Sequence, residues 1–395
     1  MTKPDSSASG QGGDTPEPEA TAGEQAHSHT DGEPAETVAE NKMKARRKPS
    51  RSARHPAVTI GSGIFTFLLL VLLGGGVAAW YGERMVNEPG PLATEKIVNI
   101  PRGHGIRDIA ELLEREGVID NWAVFVGAQK FLRPQAKMQA GEYLFTPGQS
   151  VTGVIDTIAS GKVILHLITI PEGLTSAQIV TRLMENDLLT GQPGVPREGT
   201  LLPETYKVHR GMSREALLKT MAQEQQELVK ELWAKRNSGL PLRTPQEMVT
   251  LASIVEKETG VAGERPEVAA VFVNRLKRGM RLQSDPTIIY GIVGGKGSLG
   301  RSISRKDIST PTAYNTYTID GLPPGPISNP GREALAAVVQ PASTKALFFV
   351  ADGTGGHAFA ETLAEHNRNV ARWRAIEAAR KSGAAPTSGA EASGN

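Results

Sequence analysis

No cysteine occurs among the 395 residues, which excludes disulfides, thiolate zinc sites and a cysteine nucleophile together. Neither charge sign dominates. Lys and Arg total 44 against 42 Asp and Glu, a net charge of +2, and such a balance gives no whole-chain attraction to a polyanion. Nucleic acid is thereby set aside as a partner. The sequence also lacks an HExxH motif, any other spacing suited to a metal, and a GxSxG nucleophile elbow. Gly294-Gly295-Lys296-Gly297 has neither the spacing nor the hydroxyl of a phosphate-binding loop and reads as a flexible connection. No metal and no cofactor is expected.

What is present divides the chain sharply. Residues 1–41 carry Ser, Gly, Ala, Pro, Thr and acidic residues with scarcely an apolar side chain, too little to offset the entropy of ordering a backbone, and they read as disordered. Seven basic residues with no acidic one follow, from Lys42 to Arg54. An uncharged stretch from Ala57 to Gly82 comes next, long enough as a helix to cross about 30 Å of hydrocarbon, with Trp80 and Tyr81 where an interfacial aromatic belt belongs. A cleavable signal peptide is the rival, because Val77 to Ala79 are small residues beyond an apolar core. The run is too long for a signal core and its preceding arm far too long, which favours a retained span. The basic flank before it puts the N-terminus in the cytoplasm and everything after about residue 83 outside.

The exported part repeats itself at an offset of 70 residues: Ile97–Ile119 reads IVNIPRGHGIRDIAELLEREGVI and Leu167–Leu189 reads LITIPEGLTSAQIVTRLMENDLL. Each copy predicts a short strand, a Pro-x-Gly turn and an amphipathic helix, with Ile109, Leu112 and Leu113 in the first and Ile179 and Leu183 in the second on the apolar face. Tyr143 to Val163 offers another strand, a Pro-Gly turn and a short helix ending at Gly161. Such units loosely resemble LysM-type glycan-binding modules; a packing motif without a ligand is the alternative. Past Lys381 the chain returns to Gly, Ala, Ser, Pro and Thr, a second disordered segment.

Thr244-Pro245-Gln246-Glu247 has the form of a capping box with Pro at the first helical position, so a helix is predicted to start there and to stop at Gly260. LASIVEKETG lies on its last turns. At about 100° per residue from Leu251, Glu258 falls near −20°, between Val255 near 40° and Ile254 near −60°, in the middle of the apolar face. Glu256 and Lys257 fall outside that stripe and are predicted to reach the helix edge or solvent. A carboxyl among Leu, Ile and Val loses hydration, which raises its pKa toward the range a general acid needs. Pairing with a nearby Arg is the structural alternative for such a Glu.

Three downstream segments change that balance: GERPEVAAVFVNRLKRGMRLQSDPTIIYG, TPTAYNTYTIDGLPPGPISNPG and FFVADGTGGHAFAETLAEHN. Together with the glutamate helix they resemble the YceG-like (MltG) family of endolytic murein transglycosylases, from about Val98 to Val370. The resemblance includes the single span and the LysM-like units; the acidic arm is extra. It implies that Glu258, the second Glu of Glu-Lys-Glu, is catalytic. It also implies cleavage of the β-1,4 bond between N-acetylmuramic acid and N-acetylglucosamine without water, leaving 1,6-anhydro ends. Peptidoglycan glycan strands are then the substrate, synthases at the inner membrane are candidate partners, and the catalytic domain is periplasmic.

A glycoside hydrolase would instead need a second carboxylate. Asp285 in Gln283-Ser284-Asp285-Pro286 is the best candidate, although Asp before Pro is also a turn residue. Gln283 and Tyr290 are placed to hydrogen-bond sugar hydroxyls or N-acetyl groups. Tyr314, Asn315 and Tyr317 supply an amide and two rings in a Pro-bounded loop of the kind that stacks on sugars; core filling is the alternative for the tyrosines. His357 is assigned to a loop and His366 to a helix surface or cap. A non-catalytic glycan-binding anchor is the reading from another class, but such a module gains nothing from a buried acid. The expected architecture is α+β: a disordered arm with a basic run (1–56), a transmembrane helix (57–82), a LysM-like region (83–165), a mostly helical catalytic region with some strand (166–380) and a disordered tail (381–395).

Overall fold

The computed structural model describes residues 56–381; the arm with its basic run and the tail past Lys381 lie outside the described residues. The described part opens with a 32-residue helix, α1 (Pro56–Asn87), whose side chains are all exposed from Ala57 to Tyr81. It is long and apolar enough to cross a membrane. The helix does not end at residue 82 as predicted. Glu83 and Arg84 end the apolar run but not the backbone ladder, and Arg84 pairs with Glu88 at 2.9 Å one turn on. Val86, 6% exposed, enters the first core beyond it.

That core gathers β1 (Lys96–Ile100), α2 (Ile106–Arg115), α3 (Trp122–Leu132), β2 (Gly141–Phe145) and α4 (Val151–Ala159). β1 and β2 pair antiparallel with Val98 opposite Tyr143, and the period-2 pattern turns Val98 and Ile100 inward. Ile109 and Leu113 face them from α2, while Phe125 and Ile155 fill from α3 and α4. The strand, Pro-Gly turn and helix predicted from Tyr143 to Val163 are β2, Pro147-Gly148 and α4.

The second copy of the repeat builds a separate core. β3 (His166–Thr169), α5 (Ser176–Met184), β4 (Leu189–Thr190), β5 (Thr205–Val208) and β6 (Met212–Ser213) lead into α6 (Arg214–Ala234). Both copies fold as strand, turn and helix, and both turns use a glycine at positive φ, Gly103 at 83° and Gly173 at 74°, where a Cβ would be strained. Their strands find different partners. β1 pairs with a strand that follows two helices, whereas β3 pairs antiparallel with β5 across the 191–204 connection. Ile179 and Leu183 pack with Ile168, Tyr206 and Met221.

The third and largest core forms around α7 (Pro245–Glu258), with α8 (Arg265–Lys277), α9 (Asp285–Val293), α10 (Arg305–Ser309) and α11 (Arg332–Val339) following, then the hairpin β7 (Phe348–Ala351) and β8 (His357–Ala360) and the closing helix α12 (Leu363–Lys381). The chain is thus α+β, mostly helical with small two-stranded sheets, and the region expected as one catalytic domain holds two cores.

Candidate active site

α7 starts as predicted, with Thr244 Oγ1 accepting from the Glu247 amide at 3.1 Å and Pro245 at the first turn. Glu247 reaches one residue further back than a capping box requires, to the Arg243 amide at 2.6 Å. Every residue from Met248 to Val255 is buried, so the helix is enclosed on all sides rather than along one stripe. Its buried hydroxyls are satisfied locally: Ser253 Oγ donates to Thr250 O at 2.7 Å and accepts from the Ile327 amide at 3.0 Å. The helix stops at Glu258 because Thr259 turns extended (φ −135°, ψ 130°), one residue before the predicted Gly260.

Glu258 therefore occupies the last turn, at the negative end of the helix dipole. Its Oε1 accepts a 2.5 Å hydrogen bond from Ser284 Oγ. Burial pushes its carboxyl up to about 7; the Ser284 bond pulls the other way, the nearby Asp285 charge adds to the rise, and His357 and Arg275 oppose it. A carboxyl poised there can both give and take a proton near neutral pH.

Of the two neighbouring charges, Lys257 meets the expectation and Glu256 departs from it. Glu256 does not reach solvent: its side chain is 5% exposed, lies 3.3 Å from Arg265 of α8, and accepts from the Gly331 amide at 2.9 Å. The wheel placed it off the apolar stripe correctly, but another helix covers that side with a cation. Lys257 is exposed and donates to Gly173 O at 3.2 Å, tying α7 to the turn of the second repeat copy.

Ser284, at the N-cap position of α9 just before Asp285-Pro286, carries no sequence signal for the site. Its hydroxyl makes no cap bond. It goes to Glu258 instead, while the Ser284 amide donates to Thr316 Oγ1 at 2.9 Å and its carbonyl accepts from Thr287 Oγ1 at 2.6 Å. Ser284, Thr287 and Thr316 are all at most 1% exposed, so this small network is rigid. Gln283 just before it has φ 52°, the left-handed region, and its amide donates to Thr316 O at 3.2 Å; its exposed side chain stands beside the site. Replacing Ser284 with Ala should remove the bond that favours the ionised form of Glu258. The alkaline limb of the pH–rate profile is then expected to move to higher pH, with the fold retained; a limb that stays or moves down would contradict this assignment.

The remaining candidates fall into two groups. Asp285 is exposed at the first turn of α9 and accepts from Tyr317 OH at 2.7 Å. Tyr290 and Tyr314 pair with ring centroids 4.8 Å apart, and Tyr290 OH donates to Glu198 at 3.3 Å. Tyr290 lines a cavity of about 360 Å³ together with Pro286, Lys257, Gln178 and Ile327, beside the Glu258 turn. Glu198, unnoticed in the sequence, accepts from the Ser176 amide at 2.7 Å and from Asn329 Nδ2 at 3.0 Å; burial raises its pKa. Asn315 is not with them. At 1% exposure its Nδ2 donates to the Asp307, Ile308 and Thr310 carbonyls at 3.2, 3.0 and 2.8 Å, and its Oδ1 accepts from the Tyr317 amide at 3.0 Å. Its polar atoms are committed to holding the loop.

The glycine-rich connection after α9 is pinned rather than loose, since Thr175 Oγ1 donates to Gly295 O at 2.6 Å. His357 opens β8, where its Nδ1 lies 2.7 Å from Glu264, and His366 stacks on Phe348 at 5.2 Å on the first turn of α12. Among the described residues no group of three or more His, Asp or Glu is placed to hold a metal ion.

A half-buried glutamate at a helix end, its pKa raised toward neutrality and a cavity with Tyr290 in its wall beside it, has the chemistry of a general acid–base group. Residues 98–372 match the YceG-like family, and the chain belongs to it. A relative from Bacillus subtilis (strain 168) called endolytic murein transglycosylase is 29% identical over 333 residues, 75% of this chain and 90% of its own length. A Streptococcus pneumoniae relative (strain D39) with the same name is 28% identical over 324 residues, 69% of this chain but 57% of its own length. A solved structure of a yceG-like protein from Listeria monocytogenes is 29% identical, covering 69% of this chain and 98% of that chain, with a TM-score of 0.44.

Proposed function

We propose that this chain is a membrane-anchored lytic transglycosylase that cuts the β-1,4 MurNAc–GlcNAc bond inside peptidoglycan strands and leaves 1,6-anhydro-MurNAc ends. The observation that carries the reading is Glu258: a half-buried carboxyl on the last turn of α7 that accepts from Ser284 Oγ at 2.5 Å, with burial pushing its pKa up to about 7. In its protonated form it donates to the leaving glycosidic oxygen. As a carboxylate it then takes the proton from the C6 hydroxyl of the muramoyl sugar while that oxygen attacks C1, so one group serves as acid and then as base. Tyr290, Tyr314, Tyr317 and Gln283 flank the cleft as sugar contacts; Asp285 acts through Tyr317, and Asn315 shapes their loop. The strand–helix–helix–strand order of β1, α2, α3 and β2 supports a LysM-like glycan-binding role for residues 83–165. α1 is read as the inner-membrane span, with the N-terminus cytoplasmic, the catalytic region periplasmic and peptidoglycan synthases as neighbours that would supply the nascent strands it terminates.

One observation favours a second reading: Asp285 lies close enough to raise the Glu258 pKa, as the second carboxylate of a hydrolase would. Mass spectrometry of soluble products from purified peptidoglycan separates the two. An intramolecular transfer needs no carboxylate nucleophile, because the sugar ring itself holds O6 near C1. Asp285→Asn, which keeps an acceptor for Tyr317, is therefore expected to lower the rate less than about 10-fold with anhydro ends retained. Reducing ends from the unaltered enzyme, together with an inactive Asp285→Asn protein, would establish hydrolysis instead.

A further inference from the structure

The last turns of α1 share a groove of about 830 Å³ with α3: Ala79, Gly82 and Met85 form one wall and Gly127, Phe131 and Leu132 the other. Two features of this groove are unusual for a water-facing surface. Phe131 is 78% exposed and Leu132 46%, at the end of a helix whose other face fills the first core. The α1 wall, moreover, belongs to the end of the uncharged run, where Trp80 and Tyr81 are 60% and 59% exposed. Phe131 and Leu132 thus stand at the level of the aromatic belt and not beyond it. Val86, already in the first core, follows Tyr81 by five residues, about 7 Å of helix at 1.5 Å per residue, too little to lift α3 clear of a headgroup layer.

We propose that the C-terminal end of α3 is a membrane-docking surface, in which Phe131 and Leu132 insert into the bilayer interface beside α1. The exposed Lys130 and Lys137 nearby suit anionic headgroups, and Arg133, which lines the groove together with Glu83, adds a third cation. A single span leaves its own tilt in the bilayer unfixed, and the first core, which α1 enters through Val86, tilts with it. A second apolar contact fixes its height and tilt, and so the height at which the following domains meet glycan. The occupant is the bilayer, because the groove continues the apolar surface of the span itself. This inference rests on α1 crossing a membrane and not on the transglycosylase chemistry.

The absence of native cysteine gives clean single-site labelling of the full chain. Nitroxide labels at Leu132→Cys, Leu70→Cys and Val195→Cys are compared by power saturation in nanodiscs of phosphatidylethanolamine with some phosphatidylglycerol. The label at 132 is expected to show an oxygen-to-nickel accessibility ratio severalfold above that at 195, and below that at 70. Adding Phe131→Asp should bring the 132 label down to the value at 195 while leaving 70 unchanged. A water-like label at 132 with a lipid-like label at 70 overturns the docking surface and leaves the span standing. A water-like label at 70 overturns the span and this surface together. Dipolar broadening between labels at 132 would show a second copy of the chain in the groove and likewise refute the bilayer as its occupant.

Discussion

Glu258→Gln should lose about 10²- to 10⁴-fold in turnover while keeping its fold, because the amide can still accept from Ser284 Oγ but has no proton to deliver to the leaving oxygen. The same substitution is expected to stabilise the protein in one pH window. The Glu258 carboxyl is raised to about 7 in the folded chain, above its value of 4.5 when exposed. Below about pH 4.5 both states hold the proton and the group is neutral in its effect. As pH rises from there to about 7 the unfolded chain ionises first, folding is progressively disfavoured, and the penalty levels off above the folded pKa. Gln removes that penalty. Melting curves should therefore coincide for the two proteins near pH 4 and separate by up to about 3 kcal/mol in favour of Gln near pH 8. An inactive variant that gains no stability at pH 8 would mean that Glu258 is not the enclosed acid. For the active enzyme, rate should fall as pH rises through about 7, where the acid form is lost.

The position of Glu258 was legible because a helix has one period: placing Leu251, Val255 and Ile254 inward carries Glu258 with them. Glu256 shows where that reasoning ends. A wheel describes only the faces of its own helix, and the Arg265 that buries Glu256 arrives from α8, with Glu172 and Glu333 also bound to it at 2.9 and 2.5 Å. Ser284 gives no signal in the sequence for a related reason. Ser before Asp-Pro is sufficiently explained by capping, and nothing local says that its hydroxyl is spent on a residue 26 positions upstream. Asn315 illustrates the converse error, in which a composition suited to sugars is used by the loop on itself. Glu198 carries no periodic signal at all, since it lies in the irregular connection before β5 and is assembled with Ser176, Tyr290 and Asn329 only by the tertiary fold.

The fold divides along the same line. Strand, turn and helix were readable in each copy of the repeat because side-chain period and the Pro-x-Gly turn are local. Strand partners were not, because they depend on which connection returns the chain. The end of α1 was placed five residues early, at Gly82 rather than Asn87, by equating the end of an apolar run with the end of a helix. Backbone hydrogen bonding continues through charged residues that water can solvate, and here it carries the helix into the first core through Val86.

Arg275→Met should give the second large effect, on stability first and on chemistry through it. Arg275 on α8 is 8% exposed, and its guanidinium donates to Leu347 O at 2.6 Å and to Leu282 O at 2.8 Å while lying 5.3 Å over the Phe348 ring. Burial lowers its pKa, so enclosing the cation costs free energy that Met would recover. The two carbonyls decide the balance. Both would be left buried without a donor, at about 1–3 kcal/mol each, and Met cannot replace hydrogen bonds made by a charged group. A net loss of about 2–5 kcal/mol is expected, lowering Tm by roughly 5–15 °C in a domain of this size. Those bonds also tie the edge of β7 to the segment that leads through Gln283 into Ser284, so in the molecules that remain folded the hydroxyl facing Glu258 is less firmly held. Removing the nearby positive charge raises the proton affinity of Glu258 further, because Arg275 opposes that rise in the native site. The alkaline limb of the pH–rate profile should accordingly shift upward, as for Ser284→Ala, but only the Arg275 variant should also melt early. Arg275→Lys, which keeps the charge but cannot span both carbonyls, is expected to fall between in Tm and to leave the limb close to its native position. If Arg275→Met melts within a degree or two of the native protein, the two carbonyls are satisfied without the guanidinium and the proposed tie between β7 and the Ser284 segment does not exist.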